Sequence, residues 1–183
     1  MVVWATSSPG DRPLFGGTPV RSYKETVLDD VRDRGKGLDP DSSEHVPREM
    51  FVASVFVRHE LFLPPLHVDR AFARRVDRDG TRYREIHVPM VGEPVNLHLA
   101  PPETVDGIPL GERPAFEIVK GDVCVFVELD GSDASLVEDV TALLLDRIAA
   151  DEARVRKELD HLRGMAIETV RDVYESQTRA PVV

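Results

Sequence analysis

The sequence predicts an α+β protein, a small, mostly antiparallel sheet followed by a long C-terminal helix or helical hairpin. Between residues 49 and 130, short apolar runs are separated by turn-forming pairs such as Asp79-Gly80 and Lys120-Gly121. From about Leu136 to Thr178, apolar residues recur at helical spacing. The segment before them is rich in Gly, Pro, Ser and Asp, the composition of a partly ordered arm. The 183 residues thus divide into an arm (1–48), a strand-rich domain (49–130) and a helical element (131–179).

Within the arm, the stretch SYKETVLDDVRDR from Ser22 to Arg34 suits a short helix, with Ser22 placed to cap it and Glu25 completing a capping box. Phe15-Gly16-Gly17-Thr18 lacks the lysine and the spacing of a phosphate-binding loop.

In the strand-rich domain, EMFVASVFVRHEL is apolar at both alternating sets of positions and predicts a central strand covered on both sides. Asp79-Gly80 predicts a two-residue hairpin turn that pairs Asp77 with Arg82, Val76 with Tyr83 and Arg74 with Glu85. The competing arrangement makes Asp69 the cap of a short helix, RAFARRV, followed by a lone strand from Arg82 to Val88. PVNLHLA, Pro94 to Ala100, reads as a short strand ended by Pro101-Pro102. AFEIVKGDVCVFVEL reads either as two strands about Lys120-Gly121-Asp122 or as one strand bulged at Gly121, with Val123, Val125, Val127 and Leu129 sharing a face.

The helical element carries Leu144, Ile148, Val155, Leu159, Leu162, Ala166, Val170 and Val173 on one face, and the pairs Glu152–Arg156, Arg154–Glu158 and Arg171–Glu175 outside it. A single helix of this length would run about 65 Å at ~1.5 Å per residue, longer than a domain this size is wide. Either the chain bends back near Gly164, or the seam of Val155, Leu159, Leu162, Ala166, Val170 and Val173 meets a second copy or another protein.

A net charge of -10 argues against wholesale binding to nucleic acid or anionic membranes, leaving only a local basic patch for such a role. The longest apolar run, Met50 to Val57, is too short to span a bilayer, and the first residues lack the pattern of a secretory signal, so a cytoplasmic location is expected. A single cysteine, Cys124, precludes internal disulfides and reads as an inert core thiol among valines.

HELFLPPLH, His59 to His67, superficially suggests a zinc protease, but that motif needs two histidines four residues apart on one helix, and Pro64-Pro65 bars a common helix here. No G-x-S-x-G elbow surrounds Ser54 or any other serine. His59, Glu85, His87 and His98 fall on expected strands. If these adjoin, Glu85, His87 and His98 could hold one zinc or iron ion, because imidazole and carboxylate are ordinary ligands for both. Arg70, Arg74, Arg75, Arg78, Arg82 and Arg84 crowd one stretch around Tyr83. A hairpin would present Arg74, Arg78 and Arg82 as a phosphate grip, unless Asp69, Asp77, Asp79 and Glu85 neutralise them. No motif calls for an organic cofactor, and no complete catalytic set is present.

The succession GEPVNLHLAP, then AFEIVKGDVCVFVEL, then the charged helix from LLLDRIAADEARVRKELDHLRG onward resembles the N-terminal module of uncharacterised bacterial proteins in which a helix leads into a nuclease-like or TIR-like effector. The resemblance covers roughly half the chain and implies a role in anti-phage defence, with the effector absent or on a separate polypeptide and no catalytic residue carried over. The expected function is therefore a non-catalytic interaction or sensing module acting through its helical face. A metal-dependent enzyme and a phosphate or nucleic-acid binder are the alternatives.

Overall fold

The computed structural model describes residues 14–37, 46–100, 104–105, 108–109, 114–128 and 134–178. Two helices come first, α1 (Lys24–Gly35) and α2 (Arg48–Arg58), then strands β1 (Phe72–Arg78), β2 (Thr81–Pro89), β3 (Thr104–Val105), β4 (Ile108–Pro109), β5 (Phe116–Val119) and β6 (Asp122–Glu128), and finally helix α3 (Ala134–Thr178). The protein is α+β, as its sequence predicts. The chain forms two compact units, Met1–Pro19 with Leu63–Val155 and Val20–Phe62 with Arg156–Val183, and α3 contributes to both.

The first unit is built on a four-stranded sheet in the order β1-β2-β6-β5, every neighbouring pair antiparallel. Its two hairpins have the turns expected. Asp79 and Gly80 both have positive φ (54° and 81°), as do Lys120 and Gly121 (54° and 90°), the two-residue geometry whose twist matches that of the flanking strands. The β1–β2 register pairs Asp77 with Arg82, Val76 with Tyr83 and Arg74 with Glu85. Asp69 therefore caps no helix across RAFARRV; a single 3-10 turn at Val68–Arg70 runs straight into β1. One sheet face carries Ile86, Val88, Val123, Val125 and Val127, all buried, and α3 supplies Val137, Leu144, Ile148 and Val155 to the same unit's core. Leu129 lies outside the described residues.

Two expected strands are absent. Pro94 to Ala100 is a turn: Asn96 takes a left-handed φ of 61°, which its short amide side chain tolerates, and Leu99 N–H donates back to Asn96 O at 2.9 Å. The alternation of Val95, Leu97 and Leu99 imitates a strand because Leu97 and Leu99 are buried. The segment before Pro19 runs alongside, with Phe15 N–H donating to Leu97 O and Gly17 N–H to His98 O. A β-carbon on Gly17 would stand 2.6 Å from His98 O, so only glycine fits this approach.

EMFVASVFVRHEL is likewise not a strand; it holds most of α2, within the second unit. Its apolar residues surround the helix: Phe51 and Val55 are buried, Val52 and Phe56 half-buried, and Met50, Ala53 and Val57 exposed. A run that is apolar at every phase carries no period, which is why alternation could be read into it. Glu49 in the first turn and Arg58 in the last suit the helix dipole. Helix α1 begins after a 3-10 turn, Val20–Tyr23, so Ser22 is not its cap. Tyr23 holds that position without a side-chain capping bond, and the expected capping box does not form.

Helix α3 passes Gly164 unbroken, which answers the choice between one helix and two. Leu159, Leu162, Ala166 and Val170 are buried, as are Val27, Leu28 and Val31 of α1 in the same unit, and a β-carbon on Gly35 would collide with Val173 Cγ1 at 2.3 Å. Phe51 and Tyr174 rings lie 6.2 Å apart, and Tyr174 OH donates to Val46 O at 2.7 Å. Each buried aliphatic side chain contributes about 1.5–3 kcal/mol. The seam expected to meet a second copy is thus covered by the chain itself; Val155 is buried too, and only Val173 remains half-buried. Among the described residues, no helix is long and apolar enough to cross a membrane.

Candidate functional site

Strand alternation sends Glu85 and His87 of β2 to the sheet face opposite Ile86 and Val88. The register sets Cys124 of β6 directly beside His87, Phe126 beside Glu85 and Asp122 beside Pro89, while β1 brings Phe72 against His87 and Arg74 against Glu85. Glu85, His87 and Cys124 are 1%, 5% and 0% exposed, so the centre of this face is buried although it is polar.

Each group has a partner. His87 Nε2 lies 3.3 Å from Glu85 Oε2, and His87 Nδ1 lies 3.2 Å from Asp122 Oδ2. Cys124 Sγ sits 3.2 Å from Nδ1 and 3.9 Å from Nε2 of the same ring. Phe72 stacks on the imidazole, its centroid 4.6 Å away and its plane within 8° of parallel. Arg74 Nε donates to Glu85 Oε2, Arg78 Nη2 approaches Glu85 Oε1 at 3.5 Å, and Arg78 Nη1 bonds Glu117 at 3.1 Å while its guanidinium lies over the Phe126 ring at 4.1 Å. Burial pushes the Glu85 carboxyl up, but the hydrogen bonds from Arg74 and His87 and their charges outweigh it and hold it below the usual range. The Cys124 thiol is pushed up to about 12, by burial first and then by the neighbouring Glu85 and Asp122 carboxylates. The thiol is buried in the sheet core, where the sequence reading places it.

Glu85, His87 and Cys124 each offer one donor atom, and the three atoms lie within 4.8 Å of one another. Donors bonded to one zinc ion at about 2.0–2.3 Å stand about 3.3–3.6 Å apart; here His87 Nε2 is 3.3 Å from Glu85 Oε2 and 3.9 Å from Cys124 Sγ. The structure therefore brings together Glu85 and His87 of the expected trio and leaves out His98. That residue lies on the Asn96 turn, with its backbone tied to Gly17, and Cys124 takes its place. His59 ends α2, its Nε2 2.9 Å from Asp30 Oδ2. Ser54 donates within its own helix to Phe51 O and accepts from Arg34.

The arginine cluster divides. Arg74 and Arg78 share the face of Glu85 and Glu117 and are ion-paired to them, whereas Arg82 pairs in register with Asp77 on the opposite face. The three do not form one grip. Compared with protein-family models, with curated proteins and with solved structures, the chain matches none.

Proposed function

We propose that the protein is a metal-binding module whose sheet holds a divalent transition-metal ion, zinc foremost, through Glu85 Oε2, His87 Nε2 and Cys124 Sγ. The observation that supports this reading is the engagement of both His87 nitrogens. Nε2 lies 3.3 Å from Glu85 Oε2 and 3.9 Å from Cys124 Sγ, while Nδ1, with the sulfur 3.2 Å away, also meets the Asp122 carboxylate at 3.2 Å, the outer hydrogen bond that fixes the tautomer of most metal-binding histidines. Sulfur, imidazole and carboxylate together suit zinc better than magnesium or calcium. Three protein donors leave a fourth position for water or a ligand, as in reactive rather than closed sites. The ion would replace Arg74 as the balancing charge on Glu85. Arg74 is free to yield because its side chain is 56% exposed. Chelator-stripped protein should bind one zinc ion per chain by calorimetry, and cobalt should give a thiolate charge-transfer band that Cys124→Ser abolishes. Binding unchanged in both Cys124→Ser and His87→Ala would reject the site.

A second reading is the interaction module that the resemblance to bacterial defence proteins implies, in which the exposed stripe of Met50, Ala53 and Val57 on α2 replaces the covered seam of α3. Met50 and Val57 are 65% and 73% exposed, an unusual outlay of apolar surface on one short helix. Light scattering at tens of micromolar, with Met50→Lys and Val57→Lys as controls, tests self-association, and a monomer in every case would reject a homodimer.

A further inference from the structure

Opposite the candidate metal centre, the hairpin end of the sheet carries a second charged surface of the other sign. Arg75 and Arg84 are direct cross-strand partners, and Arg82, opposite Asp77, is the next residue on that face. Side chains so placed lie about 5 Å apart at their β-carbons, and like charges there repel. Of the carboxylates on the four strands, Asp77 alone shares this face; Glu85, Glu117, Asp122 and Glu128 point to the other. Among the described residues, neither Arg75 nor Arg84 has an ion-pair partner, whereas Arg70, Arg74 and Arg78 each have one. Arg84 Nε is also buried without a hydrogen-bond acceptor. In a chain of net charge -10, carboxylates are plentiful, yet among the described residues none forms an ion pair with either arginine.

We propose that Arg75, Arg84 and Arg82 form a binding site for a phosphate monoester dianion. A tetrahedral dianion neutralises two guanidiniums at once, accepts from their forked N–H groups and supplies the acceptor that Arg84 Nε lacks. Arg75 and Arg82 are exposed, so the ligand reaches the site from solvent. A small phosphorylated molecule fits better than a nucleic acid, because the basic surface spans three residues and a long polyanion would meet the acidic remainder of the protein. The site lies on the opposite face from Glu85, His87 and Cys124 and does not depend on a metal there.

Titration calorimetry with inorganic phosphate and with a nucleoside monophosphate, at ionic strength held constant with chloride, tests the site and separates its two sources of ligand. Arg75→Gln and Arg84→Gln should each weaken binding by about tenfold or more, as expected for loss of a charge-assisted fork. Arg70→Gln, which removes the same charge from outside the face, should change it less than about twofold. If Arg84→Gln fails to fold, the exposed Arg75→Gln decides alone. No heat beyond the chloride control, equal losses in Arg70→Gln and Arg75→Gln, or tighter binding of a single-stranded oligonucleotide than of the monophosphate would each overturn the proposal.

Discussion

The two faces of the sheet are made from the same strands, yet they handle charge in opposite ways. On one, two arginines meet four carboxylates, and a histidine and a thiol lie buried between them with nearly every polar group engaged. On the other, Ile86, Val88, Val123, Val125 and Val127 form an apolar core, and beyond it three arginines face a single aspartate. Alternation alone produces this sorting, since each residue added to a strand crosses to the other side. The acidic face suits a cation and the basic rim suits an anion. A buried polar cluster such as Glu85, His87 and Cys124 contributes little net stability compared with apolar packing of similar volume. Stability therefore resides on the valine face, and the buried titratable groups are concentrated on the other.

The strongest way to break that division is to remove packing from the valine face. Ile86→Ala deletes a fully buried side chain and should destabilise the protein by about 2–5 kcal/mol in chemical denaturation, with zinc affinity per folded molecule unchanged. Comparable zinc loss in that variant would show that the two faces are not separable. On the polar face, Asp122→Asn keeps the shape but weakens the partner of His87 Nδ1. It should lower zinc affinity by about 10–100-fold while moving the denaturation midpoint far less than Ile86→Ala does, and an unchanged affinity would remove Asp122 from the site.

How much of this was legible in the sequence follows from the range of each interaction. The register of the Asp79-Gly80 hairpin was legible, because a two-residue turn fixes every pair along both strands, although the sequence alone did not decide between the hairpin and a helix over RAFARRV. The pairing of β2 with β6 was not, since it joins residues far apart in sequence and no local signal sets Cys124 beside His87. Two members of the buried Glu85, His87 and Cys124 cluster, Glu85 and His87, could be named because they alternate on one strand. Cys124 was not, and His98 was grouped with them because a proline-bounded apolar segment looked like a strand when its Asn96 makes it a turn. Helix α2 was missed because it is apolar on every side, and α3 was found because its two faces differ. The arginines were visible as a cluster, but only the observed register divides paired Arg74 and Arg78 from unpaired Arg75 and Arg84.

The helical unit offers a sharper contrast with that unpaired rim, because its charges meet. Asp30 of α1 lies 2.9 Å from His59 Nε2 and 3.5 Å from Arg34 and Arg58. Burial raises its carboxyl, but the His59 hydrogen bond and the charges of Arg58, His59 and Arg34 together pull it below its ordinary 3.8. A carboxyl depressed on folding contributes stability above its unfolded value, and that contribution fades as pH falls from about 3.8 through the folded value. Asp30→Asn should therefore cost about 1–2 kcal/mol near neutrality and nothing at the acid end of that window. A cost that persists undiminished in acid would assign Asp30 a packing role instead.

The smallest expected effect is also the one that most directly sharpens the comparison, because its sign is unusual. Most substitutions destabilise, yet Arg75→Gln relieves the repulsion between Arg75 and Arg84 and removes no observed partner. Without phosphate it should raise stability by about 0.2–1 kcal/mol, the range for cross-strand pairs. Because exposed charges are screened, the gain should shrink toward zero as salt approaches about 1 M, where the screening length falls to about 3 Å. Saturating phosphate should reverse the order, since the unsubstituted protein gains binding free energy that the variant has largely lost. Replacing Arg74, whose partner Glu85 is buried, should show no such stabilisation, because it takes a cation from an acidic cluster. A gain from Arg75→Gln that ignores both salt and phosphate would come from side-chain packing or propensity, and the charge asymmetry between the two faces would then have no energetic consequence at this position.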